Sequence, residues 1–303
     1  MSEGQQFFLI LCLLCLSESV LWVKPQAWVF LSGWPGGRWK ADLPARHGGR
    51  GRFVLCQPLP PLGWGFVCGE RGAGGSPSVA GAREKVRAFF EATRRLRFLA
   101  AWVAFPWFFV LVPLTYWLIG PEPLFWIVLA LGWVALAATA VSFHRVHRRL
   151  YPAKSEERWQ HTILAALVPQ HAIRVPGVLA RPWLVEFTPL AVGAATLPPE
   201  VFAALAGKEC RRWAFPLPAT SAAADAAAML HFPAGKGVPR EIEAILNEAG
   251  LSLAALLLPP ERQGEAQAYC PRCLAQFDDP GARCADCAGL EVARWPVLEG
   301  GAN

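Results

Sequence analysis

Phe98-Leu-Ala-Ala-Trp-Val-Ala-Phe-Pro-Trp-Phe-Phe-Val-Leu-Val-Pro-Leu-Thr-Tyr-Trp-Leu-Ile119 and Leu124-Phe-Trp-Ile-Val-Leu-Ala-Leu-Gly-Trp-Val-Ala-Leu-Ala-Ala-Thr-Ala-Val-Ser-Phe143 are runs of 22 and 20 residues without a charged side chain. A helix of about 20 apolar residues spans a bilayer's hydrocarbon core. Gly120-Pro-Glu-Pro123 between them is too short for anything but a turn. The reading is a transmembrane helical hairpin over 98–143. Trp102, Trp117 and Trp126 stand toward helix ends, where indole prefers the interface. Pro106 and Pro113 are expected to bend the first helix. Ala135/Thr139 and Ala138/Ser142 supply small residues at i, i+4 for close packing.

Charge placement supports the same reading. Residues 1–149 hold 16 basic and 7 acidic side chains, and residues 150–303 hold 13 and 16. The positive charge therefore lies beside the apolar runs, in Arg94-Arg-Leu-Arg97 before the hairpin and His144-Arg-Val-His-Arg-Arg149 after it. This distribution suits anionic headgroups and places both outer ends on the cytoplasmic side. With 54% hydrophobic residues the chain exceeds the usual 45–50% of soluble domains. Its Ala, Pro and Arg richness suggests a GC-rich bacterial genome, hence a multi-pass protein of a bacterial inner membrane.

Upstream, Phe7–Val23 is mostly apolar and interrupted by Ser17-Glu18-Ser19. No basic residue precedes it, and no small-residue cleavage site follows. A transmembrane helix over 1–23 is expected, with a signal peptide the alternative. Glu18 reads as an interfacial or partner-paired acid. Residues 24–82 are rich in Gly, Pro, Trp and Arg. Within them, Arg52–Gln57 and Trp64–Cys68 read as the two strands of a β-hairpin. Cys56 and Cys68 are expected to be free thiols on a reducing side. Gly69–Gly81 reads as a linker. Residues 83–97 read as a basic amphipathic helix, either lying on the membrane surface or extending the span.

Residues 144–268 read as a small helical domain whose apolar faces need a partner or the membrane. Its expected helices are Ser155–Val168, Pro199–Ala206 stopped by Gly207, Ser221–Leu230, Pro239–Ala249 and Leu253–Leu258, with a strand over Trp183–Phe187.

The C-terminal chemistry is more specific. Cys270-Pro-Arg-Cys273 and Cys284-Ala-Asp-Cys287 are two CxxC pairs separated by ten residues. Each CxxC turn brings two sulfurs to one place, and two turns complete a tetrahedral four-cysteine site. Phe277, Leu290 and Val292 offer an apolar floor. Over 269–296 the segment resembles a zinc ribbon, with Asp278-Asp-Pro-Gly281 at the tip of a short hairpin. The resemblance implies structural Zn2+ held by Cys270, Cys273, Cys284 and Cys287. The spacer is shorter than the usual 15–20 residues, so the turn must be tight. A rubredoxin-like iron site is an alternative. A redox dithiol would want a βαβ context, which is absent, and would leave the second pair unexplained.

No catalytic constellation accompanies the cysteines. There is no phosphate-binding Gly-rich loop, HExxH or GxSxG. His144 and His147 have metal-compatible spacing but sit in an Arg-rich flank. His161 and His171 lack an identifiable carboxylate partner. Cys210 stands beside Lys208 and Arg211, which would activate a thiol if they faced it. The expected function is non-catalytic: a membrane-anchored zinc-binding module for protein interaction or assembly on the cytoplasmic face. The alternatives are a membrane-tethered nucleic-acid-binding regulator and a membrane redox or lipid-acting enzyme. Three basic and five acidic residues over 269–303 argue against nucleic acid.

Overall fold

The computed structural model describes residues 78–217 and 238–295 continuously, and 6, 9–10, 13, 20–23, 28–32, 40–42, 52–55 and 64–68 before them. The chain is mainly helical. A single helix, α1, runs over Val79–Ile119, and α2 runs back over Pro123–Leu150. Gly120 makes the turn at φ 69°, a left-handed geometry that costs glycine little. Pro123 then starts α2, where its missing N–H costs no helical bond. Large apolar side chains on both helices face outward, among them Trp102, Trp117, Leu118, Trp126, Leu131 and Val134.

Pro106 and Pro113 act on α1 in a specific way. Two π-helical stretches, Leu99–Ala104 and Trp107–Leu111, each end shortly before a proline. Phe105 N–H donates to Ala100 O and Val112 N–H to Trp107 O, five residues back rather than four. A proline ring clashes with the carbonyl four residues earlier. Widening the preceding turn relieves that clash while keeping these N–H groups bonded.

The hairpin contact runs along Gly132, Ala135 and Thr139 of α2, all buried. Thr139 returns its hydroxyl to Ala135 O at 2.9 Å, so no polar group is left free there. Ala138 faces outward, and Gly132, which the small-residue pattern did not single out, lies directly against Trp107 and Phe108 of α1.

Four further helices follow α2: α3 (Ser155–Leu167), α4 (Pro169–Leu184), α5 (Pro189–Thr196) and α6 (Pro199–Ala214), of which α4 and α5 pack on the first half of α1. Two short ones follow, α7 (Arg240–Glu248) and α8 (Leu253–Leu256). α1 buries Val79, Ala82, Val86, Phe89, Thr93 and Leu96, and packs against α5, α4 and α2. The 83–97 segment is thus continuous with the apolar helix that follows it and packs inside the helical body. One buried core links residues of α1 and α2 with α4, α5, α6 and α7.

Other expectations are corrected. α6 passes through Gly207 to Ala214, because tertiary packing outweighs the local glycine cost. A Cβ there would meet Arg211 and Leu256, so the bare backbone admits α8. Trp183 and Leu184 end α4 rather than form a strand. α4 and α5 escaped the pattern because Pro169, Pro176, Pro182 and Pro189 read as breaks. Gly81 lies in the first turn of α1, capped by Ser78 Oγ at 3.0 Å, and is not linker. The expected helix over Ser221–Leu230 lies outside the described residues.

The N-terminal region is also reordered. Gln6, Leu9, Ile10 and Leu13 are helical, but β1 (Val20–Val23) is a strand paired with β4 (Arg52–Leu55). A helix therefore does not extend to Val23. The two strands read in 52–68 exist, but not as a hairpin. β5 (Trp64–Cys68) pairs with β2 (Trp28–Ser32), which also pairs with β3 (Lys40–Asp42). Phe66 of β5 meets Phe89 and Phe90 of α1 edge-on, each within 6.0 Å. Cys68 is buried, and its thiol donates to Leu184 O at 3.4 Å. Cys56 and Glu18 lie outside the described residues.

The start of α1 is anchored from a distance. Glu248, at the end of α7, accepts Val79 N–H at 2.9 Å and Ala80 N–H at 2.6 Å. A carboxylate there satisfies two orphan donors and complements the helix dipole. Glu248→Ala is expected to cost about 1–2 kcal/mol and Glu248→Gln less, since the amide keeps one acceptor. Denaturant unfolding of the detergent-solubilised protein measures both.

Candidate metal centre

The four cysteine sulfurs come together at the C-terminal end of the fold, all within 4.8 Å of one another. Cys273 Sγ and Cys284 Sγ are 3.5 Å apart. A tetrahedral centre with metal–sulfur bonds of about 2.3 Å needs sulfurs about 3.8 Å apart. The donor set therefore fits a metal ion, and soft thiolates suit zinc or iron best.

Two similar turns produce this arrangement. β6 (Ala268–Tyr269) and β7 (Gln276–Phe277) flank the first CxxC as an antiparallel pair. At its tip Leu274 N–H donates to Cys270 O, and Cys270 N–H to Ala275 O, both at 2.8 Å. β8 (Arg283–Cys284) and β9 (Leu290–Glu291) flank the second CxxC. There a 3-10 turn over Ala285–Cys287 leads to Gly289 N–H donating to Cys284 O at 2.9 Å. β10 (Ala293–Arg294) returns to β6.

Each CxxC is thus the tip of its own hairpin. Asp278-Asp-Pro-Gly281, expected at a hairpin tip, instead links the two hairpins. Gly281 N–H bonds Asp279 Oδ1 at 2.8 Å and tightens that link. This is how a ten-residue spacer suffices. Among the described residues, the non-glycine positions with positive φ are Leu274 and Ala288, each immediately after the second cysteine of a pair. Strain of this kind costs on the order of 1 kcal/mol or more and persists where surrounding bonds impose it.

Cys270, Cys284 and Cys287 are buried and Cys273 is half-buried. Phe277 and Leu290 form the floor as expected, joined by Leu217 rather than Val292. Leu217 comes from the chain after α6, so no local pattern pointed to it. Burial disfavours the thiolates of Cys270, Cys284 and Cys287. It pushes Cys284 up to about 11, aided by the neighbouring thiols, and Cys287 higher still. At Cys270 burial is overcome by the N–H groups of Cys273 and Arg272 and by the Cys273 and Cys284 thiols, which hold it below 9.0. A cation at the centre would stabilise all four thiolates together.

Arg272 fixes the module to the body. Its Nη1 donates to Phe215 O at 2.7 Å and Arg212 O at 3.3 Å. These carbonyls lie at the C-terminal end of α6, where a cation complements both unpaired acceptors and dipole. Four thiolates around a divalent ion carry a net charge of about −2, which a nearby guanidinium offsets. The role of Arg272 left no signal in the sequence, since it occupies a variable position of CxxC. Trp295 adds a second tie, its indole N–H donating to Pro260 O at 2.8 Å.

The remaining candidates separate. His144 Nδ1 lies 3.3 Å from Thr162 Oγ1, with its ring against Trp159, whereas His147 is buried between Phe143 and Tyr151. The two therefore serve different neighbours. His161 Nδ1 and His171 Nε2 do meet, at 3.1 Å, with parallel rings. Cys210 is fully buried in α6, and burial pushes its pKa up to about 11 despite Arg211. Cys210 is thus an ordinary buried cysteine, not an activated one. Native Cys210 should resist alkylation at pH 8. Because its folded pKa is raised above 9.0, its contribution to stability is complete below pH 9.0 and is lost as pH rises through about 11. Alkylation mapped by mass spectrometry across pH checks this.

The chain matches no family model, no curated protein sequence and no solved structure.

Proposed function

We propose that this is a membrane-anchored zinc-binding protein that acts without catalysis, as a protein-interaction or assembly module on the cytoplasmic face. The observation that carries the reading is a centre whose four coordination positions are all filled by cysteine. No position is left for water or substrate, and such a closed site is structural. Arg272 and Trp295 hold the ribbon against the helical body, so it is presented as a rigid surface. Zinc is preferred to iron because a buried, closed ribbon of four thiolates needs no redox change to perform this task.

Anchoring is supported by α1 and α2. The most apolar windows of these helices are only 44% and 33% buried, so most of their apolar surface faces outward. A core helix of a soluble protein would be mostly covered. The Arg clusters at both outer ends support a cytoplasmic C-terminus, a reducing place where thiols stay available for metal. Asp278, Asp279, Asp286 and Glu291 are exposed on the ribbon and would repel a phosphate backbone.

The test is in-cell crosslinking from a photoreactive residue at exposed Ala285. A defined cytoplasmic protein should be captured, and the capture lost with Cys273→Ser. Capture of no protein, or of nucleic acid instead, would overturn the interaction reading.

A further inference from the structure

The membrane reading extends to α3 and α4, which no hydropathy criterion selects. α3 carries Trp159, Ile163 and Leu167 at i, i+4, i+8, and all three are more than half exposed. Trp159 starts the stripe beside His144 of α2, and Ile163 and Leu167 continue it along the exposed side of α3. No charged residue occurs from 159 to 173, between Arg158 and Arg174.

The packing sets the depth of the stripe. α3 runs antiparallel to α2, with Thr162 beside His144 and His161 near Phe143. Five residues further, at 1.5 Å per residue, the end of α3 lies about 7 Å nearer the α1–α2 turn, beside Thr139. The return helix sets an independent register, since Tyr151 OH donates to Leu179 O at 2.7 Å. Ten residues back along α4, about 15 Å, Pro169 lies level with Val141. Both registers place the tip inside the charge-free run that ends at Phe143. By these registers Leu167 lies in depth between the outward-facing Val141 and Val134 of α2.

We infer that the α3–α4 hairpin dips into the bilayer leaflet where α2 ends, covering its exposed stripe with lipid acyl chains. The inference rests on α1 and α2 spanning the membrane. Its depths are graded: Trp159 at the headgroups, Ile163 at the boundary and Leu167 among acyl chains.

The backbone suits such a dip. Val168 alone joins the helices, being the C-cap of α3 and the N-cap of α4 at once. Its own N–H donates to Leu164 O at 2.8 Å and its carbonyl accepts from His171 and Ala172, while Pro169 has no N–H to satisfy. Irregular backbone at membrane depth needs this kind of internal pairing. His161 Nδ1 and His171 Nε2 pair with one another at 3.1 Å. Arg158, the last charged residue before the run 159–173, stands at its headgroup end.

The test places a diazirine-bearing apolar residue at Leu131, Ile163, Leu167 or Glu241 of the full-length protein. Each variant is reconstituted in phosphatidylcholine–phosphatidylglycerol vesicles, irradiated, and its adducts are read by mass spectrometry. Acyl-chain adducts at Leu167 should match those at Leu131 within a factor of about two. Adducts at Ile163 should fall near the glycerol backbone, and exposed Glu241 on α7 should give water adducts alone. Lipid adducts at Leu131 with water adducts at Leu167 would overturn the dipping hairpin and leave the spanning helices intact. Crosslinks from Leu167 to a second copy or another protein would overturn it in favour of a protein interface. Water adducts at Leu131 as well would overturn both readings.

Discussion

Replacing Cys284 with serine abolishes metal binding and unfolds the chain from about 268 onward, while the helical body remains folded. Cys284 is buried, contributes to β8, and lies 3.5 Å from Cys273 Sγ. A serine hydroxyl does not ionise near neutral pH and cannot replace a thiolate. The ribbon's strands are two residues each, and its apolar floor is Leu217, Phe277 and Leu290. So small a core cannot order the segment alone. Structural zinc in small modules contributes about 10–16 kcal/mol, and nearly all of it is folding free energy. The main core contains none of the four cysteines, so loss of the ribbon leaves it whole. Strong chelation of the native protein should have the same effect, as should acidification, because the ligands must be deprotonated to bind. Metal content and protease mapping of the full-length variant measure both halves of the result.

Substitution of Gly132 by leucine is expected to part the α1–α2 hairpin. A Cβ alone would stand 2.8 Å from Trp107 Cδ1 and 3.0 Å from Phe108 Cε2. Trp107 has little room to yield, since its indole N–H donates to Val128 O at 2.7 Å. Overpacking of this kind costs about 1–3 kcal/mol, and the added bulk of leucine puts it at the upper end. Ala138→Leu, one turn and a half away on the outward face, adds the same side chain where nothing opposes it. Thermal unfolding in detergent should show a clear loss for Gly132→Leu and almost none for Ala138→Leu. Equal effects would mean that the small-residue contact does not hold the hairpin.

These two sites differ in how well the chain announced them. Paired CxxC spacing is a local signal for four converging thiols, and the four sulfurs converge as that spacing implies. The hairpin was equally legible, because length and apolarity are summed over 42 residues of two uninterrupted runs. What surrounds them was not. α4 contains Pro176 and Pro182 and still forms, since Tyr151 and the main core fix it from outside. Pairing failed where several strands compete. Val20–Val23 is apolar enough for a helix, yet pairs with Arg52–Leu55, a choice made by partners some thirty residues away. Arg272 and Glu248 act at helix ends far along the chain, and no local pattern encodes such a meeting.

The central claim is a closed zinc centre, and metal analysis of the purified full-length protein tests it most directly. The account predicts about one zinc per chain, absent in Cys284→Ser, with the four ribbon thiols protected from alkylation until the metal is removed. A metal-free protein whose Cys270 and Cys273 cycle between dithiol and disulfide would contradict it.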